Sequence, residues 1–169
     1  MNIAIYGRPV NTNQLTLAES VISLLKKTDC KIRIHAPYLT FLESNLKKKL
    51  SLDVFNTNED IKSDTDFLFS IGGDGTLLDT VFLVKDSNIP IVGINAGRLG
   101  FLSSISRENL EMAISSLSKG HYSLDARTLL RLEANHPIFE GENIALNEFT
   151  IHKKETSSMI TIHTYLNGE

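Results

Sequence analysis

A parallel-sheet α/β fold is predicted for the first part of this 169-residue chain, followed by the start of an all-β region. Three observations carry that expectation. Up to about residue 120, short apolar runs alternate with amphipathic stretches, the pattern of βα units around a parallel sheet. One apolar run, Phe67-Leu68-Phe69-Ser70-Ile71, leads straight into the turn Gly72-Gly73-Asp74-Gly75-Thr76 and then into a helical stretch. Beyond Gly120 the apolar runs continue with no helical spacing between them.

In order, Asn2 to Tyr6 reads as a first buried strand that ends at Gly7-Arg8-Pro9. From Gln14 to Lys27, Leu15, Ala18, Val21, Ile22 and Leu25 fall on one helical face. Lys31 to His35 alternates as a short strand, and Tyr38 to Leu50 is a weaker helix bearing Lys47-Lys48-Lys49. That run reads as a solvated helix face in preference to a phosphate contact. Phe67 to Ile71 is a strand and Leu77 to Val84 the helix after it, while Ile89 to Ile94 is the next strand. A helix from about Arg107 to Lys119 takes Ser106 as its N-cap and Gly120 as its stop. Leu129 to Ala134, Ile144 to His152 and Met159 to Leu166 read as three further strands. The expected division is a Rossmann-like α/β domain over 1–121 and the beginning of an all-β domain over 122–169. Three strands alone leave an exposed edge and little core, so the β domain is expected to be incomplete and the chain truncated.

Composition narrows the function classes. Hydrophobic residues at 41% and charged residues at 22% suit a globular protein with a real core. A net charge of -3 argues against a nucleic-acid partner, which usually meets a basic excess. No apolar run is long enough for a membrane span, and the N-terminus lacks the basic lead of a signal peptide. The single Cys30 forms no internal disulfide, which points to a reducing, cytoplasmic setting. The five histidines show no zinc-like spacing, and no protein metal ligand is assigned.

The glycine turn carries the chemistry. It stands at the carboxyl end of a parallel strand, where open α/β sheets bind ligands. Its glycines allow close approach of a phosphate, and the helix beyond offers free N–H groups. It is neither of the common phosphate fingerprints, since it lacks the lysine of one and the spacing of the other. Instead an acid, Asp74, sits among the glycines. A carboxylate 4 Å from a phosphate charge is repelled by about 4 kcal/mol at an effective dielectric near 20. Such an acid makes sense if it holds a metal or accepts a proton from an attacking hydroxyl. The structural alternative is that Asp74-Gly75 simply makes a tight turn.

Gly-Gly-Asp-Gly-Thr after a buried strand resembles the signature shared by NAD kinases, diacylglycerol-type lipid kinases and, in variant form, phosphofructokinases. Gly93-Ile94-Asn95-Ala96-Gly97-Arg98-Leu99-Gly100-Phe101-Leu102 resembles the second motif of the NAD kinases. Ala145-Leu146-Asn147-Glu148 resembles the third, and Ala126-Arg127-Thr128-Leu129-Leu130 the strand entering that family's second domain. The resemblance implies ATP-dependent phosphorylation of the 2′-hydroxyl on the adenosine ribose of NAD, giving NADP. The alternatives kept beside it are a lipid kinase and a non-catalytic nucleotide-binding fragment. It makes Asp74 the proton acceptor and Gly72, Gly73, Gly75 and Thr76 the phosphate cradle. Asn147 and Glu148 become ligands of the adenosine, and Phe101 lines the adenine pocket. Further implications are a divalent metal, usually magnesium, accompanying ATP, and a homo-oligomer, dimer or tetramer.

Each role has a plainer alternative. Phe101 reads equally as core. Arg98, and behind it Arg8, is placed to reach a phosphate or to form a structural salt bridge. Neighbours in a regular strand point to opposite faces, so Asn147 and Glu148 can share a ligand only where the strand ends or bulges. Two departures stand out. Many members carry a basic residue shortly after the glycine motif, where this chain has Asp79 without an assignable task. The Gly/Thr/Ser-rich segment that completes the family's NAD site does not occur before Glu169.

Overall fold

The computed structural model describes residues 1–9, 14–61, 63–97, 100–103, 105–139, 143–154 and 159–169. They fall into two compact units, Met1–Ala126 and Arg127–Glu169. In the first, five parallel strands stand in the order β3-β2-β1-β4-β5: β1 Asn2–Gly7, β2 Lys31–His35, β3 Asp53–Phe55, β4 Phe67–Gly72 and β5 Ile91–Asn95. Between them run α1 Leu15–Lys26, α2 Ala36–Leu46 and α3 Asp74–Val84, with α4 Leu110–Ser118 after β5.

The packing explains why β4 is apolar from end to end. It pairs with β1 on one side and β5 on the other, and all six of its residues are buried. Alternate side chains serve opposite faces. Phe67, Phe69 and Ile71 join Ile3, Ile5 and the buried stripes of α1, α2 and α4. Leu68 joins Ala4, Phe55, Ile61, Val84 and Ile89 on the other face. A continuous hydrophobic run is what a parallel strand covered on both faces requires. The α1 stripe is Leu17, Ala18, Val21, Ile22 and Leu25, close to the one expected.

Several boundaries differ from expectation for physical reasons. Helix α2 starts directly after β2 with Pro37 in its first turn, and it stops at Lys47, whose φ of 51° is left-handed. The Lys47-Lys48-Lys49 run is therefore exposed, as expected, but in the turn after the helix. Helix α3 begins inside the glycine motif at Asp74, three residues earlier than Leu77. Helix α4 begins at Leu110, and Ser106 opens a preceding turn by accepting the Asn109 N–H, so it does not cap. Gly120 ends that helix at a φ of +73°, a stop that its lack of a Cβ favours. Strand β3 carries no clear sequence signal because it is three residues long and two of them are exposed.

In the second unit, β6 Leu130–Arg131 pairs antiparallel with β7 Ile144–Ala145. This small sheet begins a β region. The longer strands expected over 129–134, 144–152 and 159–166 are not formed among the described residues; strand pairing covers those four residues, with one further bond from the Leu132 N–H to the Asn143 carbonyl (2.9 Å). No helix among the described residues is long and apolar enough to cross a membrane.

Candidate functional site

The strand order fixes where a ligand can enter. From β1 the chain winds outward to β2 and β3, then returns to place β4 on the opposite side of β1. Helices on either side of that reversal cover opposite faces, which opens a crevice at the carboxyl ends of β1 and β4. Residues Gly7-Arg8 leave β1 there, and Gly72 to Thr76 leave β4 there.

The turn owes its shape to its glycines. A Cβ at Gly72 would overlap the Thr76 side chain, which is folded inward and 5% exposed. The Gly73 carbonyl accepts the N–H groups of Thr76 (3.0 Å) and Leu77 (3.2 Å), starting α3 without any side-chain cap. The N–H groups of Asp74 and Gly75 lie in that first turn, with no carbonyl one turn behind them. Gly73 and Gly75 are exposed, and a Cβ at Gly73 would meet nothing within 4 Å. The result is a bare backbone surface with the positive end of a helix dipole beneath it.

Asp74 faces sideways. Its carboxylate accepts the backbone N–H groups of Phe101 (2.8 Å), Leu102 (3.0 Å) and Ser103 (3.0 Å). These bonds, the one from Ser103 foremost, hold its pKa below the usual carboxylate value. A Cβ at Gly100 would overlap that carboxylate, so glycine there is what lets the 100–103 segment lie against it. The two sequence motifs are thus one structure. Ala96 N–H donates to the Gly72 carbonyl (3.1 Å), and Asn95 Oδ1 accepts the Gly97 N–H (2.7 Å). Ile105 returns beside Ile94 as a parallel bridge.

Asp79, further along α3, has partners on β1 and just past it. Both its oxygens accept from Arg8, Oδ2 from Nε at 2.5 Å and Oδ1 from Nη2 at 2.7 Å. Tyr6 donates its hydroxyl to Oδ2 at 3.0 Å. Burial first, and then the neighbouring carboxylate, push the Tyr6 phenol up to about 12. The acid left without a task by sequence is therefore a clamp for Arg8. The signal that could have found it is an exposed-side acid on α3 facing an arginine just past β1.

The other expected site residues fare differently. Phe101 is 98% exposed, so it is not core, although its backbone N–H binds Asp74. Arg98 lies outside the described residues. Asn147 and Glu148 belong to the second unit, where β7 stops at Ala145 and the chain bends through Leu146 and Asn147. No regular ladder runs through the pair, which is the local condition for both to face one ligand. No cluster of three metal-ligating side chains occurs among the described residues. A depression of about 250 Å³ reaches the second motif at Asn95, Ala96 and Gly97. A larger one of about 780 Å³ lies away from both motifs, between α1, Lys48–Leu50 and the start of α4. Its lining mixes four cations, Lys26, Lys48, Lys49 and Arg107, with three acids, Glu19, Glu108 and Glu111, and so marks out no one ligand sign.

A five-stranded parallel sheet with an acid-bearing glycine turn at its switch point defines a Rossmann-like α/β domain. A family model described as the ATP-NAD kinase N-terminal domain matches residues 3–122, and the chain belongs to that family. It is 38% identical to an NAD kinase of Cytophaga hutchinsonii over 170 residues, covering 100% of this chain and 58% of that protein. To an NAD kinase of Bacteroides fragilis it is 37% identical over 169 residues, 99% of this chain and 57% of the relative. The chain thus spans a little over half the length of the curated relatives it matches. The fold is similar to that in the crystal structure of yeast NADH kinase complexed with NADH, with a TM-score of 0.68 at 20% identity. That likeness covers 87% of this chain and 44% of the yeast chain.

Proposed function

We propose that the protein carrying this chain transfers the terminal phosphoryl group of ATP to the 2′-hydroxyl on the adenosine ribose of NAD. The observation that carries the reading is the Asp74 turn, one acid among bare backbone donors at the switch point, in a member of the ATP-NAD kinase family. The exposed glycines Gly73 and Gly75 and the first-turn N–H groups of α3 receive phosphate oxygens, while Gly72 and Thr76 shape the turn. Magnesium enters with ATP, held mainly by the phosphates, as is usual for this ion.

Asp74 takes the hydroxyl proton. Because its pKa is depressed, it is ionised at neutral pH and always in the accepting form. It is a weak base for the same reason. Phosphoryl transfer is mostly positioning and charge stabilisation, so a weak base that orients the hydroxyl is sufficient. Asn147, Glu148 and Phe101 complete the reading as contacts to the adenosine, with Arg98 toward phosphate. Region 122–169 is the opening of the substrate-binding β domain. The setting is the cytoplasm, and the assembly is a homo-oligomer, for which light scattering showing only monomers is the contrary result. The family match favours this reading over a lipid kinase.

The test is incubation of the full-length protein with ATP, magnesium and NAD, followed by an NADP-specific dehydrogenase. No NADP above the blank rejects the proposal. Asp74→Asn is expected to lower turnover by about 10²- to 10⁴-fold, the usual range for a general base. Unchanged turnover would remove Asp74 from the chemistry.

A further inference from the structure

We infer that Arg8 binds the phosphate chain of the donor nucleotide, with its guanidinium held in place by Asp79 and Tyr6. This rests on the phosphoryl-transfer reading above and adds a residue to it from the other wall of the crevice. Arg8 is the first residue past β1, and β1 and β4 are the two strands whose carboxyl ends border the switch point. The glycine turn supplies one wall, and Arg8 supplies the other.

The second observation is geometry. The Arg8 fork grips the Asp79 carboxylate through Nε and Nη2, two of its five N–H donors. Its Nη1 faces the glycine turn, 3.4 Å from where a Cβ at Gly75 would stand. Gly75 has no side chain to cover that nitrogen, and the Arg8 side chain is 45% exposed against 30% for Asp79. The carboxylate thus lies on the more covered side of the guanidinium, and the uncommitted edge lies beside Gly75, one of the residues whose N–H groups open α3. A phosphate seated on the glycine turn meets both.

The third observation is the clamp. A free arginine loses much rotamer freedom on binding a ligand, and a guanidinium already fixed loses less. Asp79 accepts three hydrogen bonds, two from Arg8 and one from Tyr6 on β1, which hold the fork in one orientation. Asp79 and Tyr6 are accordingly positioning residues. If the pair were only a tether between β1 and α3, loss of either partner would have the same consequence. If Arg8 is a phosphate ligand, the two losses differ.

Calorimetric titration of inorganic tripolyphosphate into this chain and three variants separates these cases, with a thermal melt on each to verify folding. Arg8→Ala is expected to weaken tripolyphosphate binding by about tenfold or more, as loss of a charge-assisted phosphate contact does. Asp79→Asn, which keeps the cation and loosens it, is expected to cost less than about threefold, although both variants lower the melting midpoint alike. Arg8→Lys, which keeps the charge without the fork, falls between. Equal losses for Arg8→Ala and Asp79→Asn, binding by Arg8→Ala within twofold of the parent, or no binding by the parent, would each overturn the inference. In the full-length enzyme, Arg8→Ala is expected to raise KM for ATP while leaving KM for NAD in place. Matching rises in both, or no rise for ATP, would count against it. A parent that binds tripolyphosphate through Arg8 but forms no NADP would defeat the proposed function and leave this site standing.

Discussion

Residues 67–71 and residues 159–166 are both rich in strand-forming apolar side chains, yet they end in opposite environments. Phe67, Leu68, Phe69 and Ile71 are buried between two neighbouring strands and two helical layers. Met159, Ile160, Ile162, Tyr165 and Leu166 are all exposed. None of the described residues of Arg127–Glu169 is buried, whereas every buried hydrophobic among the described residues lies in Met1–Ala126. Strand propensity mostly measures how well a side chain packs on a pleated, half-buried surface. Where partners exist it becomes a strand. Where they do not, the same residues form no strand, and a two-stranded ladder alone is marginal in water.

Substituting one apolar side chain in each region tests this contrast most strongly. Phe69→Ala is expected to destabilise the α/β unit by about 3–5 kcal/mol, the range for a large buried aromatic. Ile160→Ala, at an exposed position, is expected to stay within about 0.5 kcal/mol. Urea unfolding of the two variants against the parent measures both. Comparable losses would mean that 159–166 packs as tightly as β4, and the contrast would collapse.

The same contrast explains what was legible in the sequence. Elements β1, α1, β2 and β4 were readable because burial on both faces or on one stripe writes a periodic pattern. Strand β3 was not, since Val54 is exposed and only Phe55 is buried. The start of α3 at Asp74 was hidden because glycines are poor helix residues, and here the first turn is supported by Asp74 lying across to residues 101–103. Among site residues, the two motifs were visible as motifs, but not that one carboxylate joins them. That contact spans 27 to 29 positions, far beyond any local pattern. Asp79 has no assignable task from sequence for the same reason, its partner being 71 positions away.

Gly100→Ala probes that junction. An added methyl overlaps the Asp74 carboxylate, so the carboxylate must move and its three N–H bonds cannot all persist. Amide exchange at Phe101, Leu102 and Ser103 is expected to accelerate by roughly five- to tenfold, with little change in β4. Nucleotide binding should weaken with it, because the two motifs would lose their shared geometry. Unchanged exchange at those three amides would show that the segment is held by something other than Asp74.

The smallest expected effect comes from His35, at the end of β2. Its ring lies 5.0 Å from Tyr6 and 5.5 Å from Phe55, centroid to centroid, and its buried Nδ1 has no hydrogen-bond partner among the described residues. Burial lowers its pKa from the ordinary 6.5, since the charged ring loses hydration. A depressed histidine leaves the unfolded chain binding more protons than the folded one below that value. Its contribution to stability is therefore full above about pH 6.5 and is lost as pH falls through the folded value. The slope is shallow, bounded by one proton per molecule. His35→Phe keeps the ring stack and removes the proton site, so its stability should fall less between pH 6.5 and 5 than the parent's does. His136, His152 and His163 of the second region are exposed and untouched by this substitution. A parent slope that survives unchanged in His35→Phe would place the pH sensitivity away from the carboxyl ends of β1, β2 and β3, against burial of that ring as its cause.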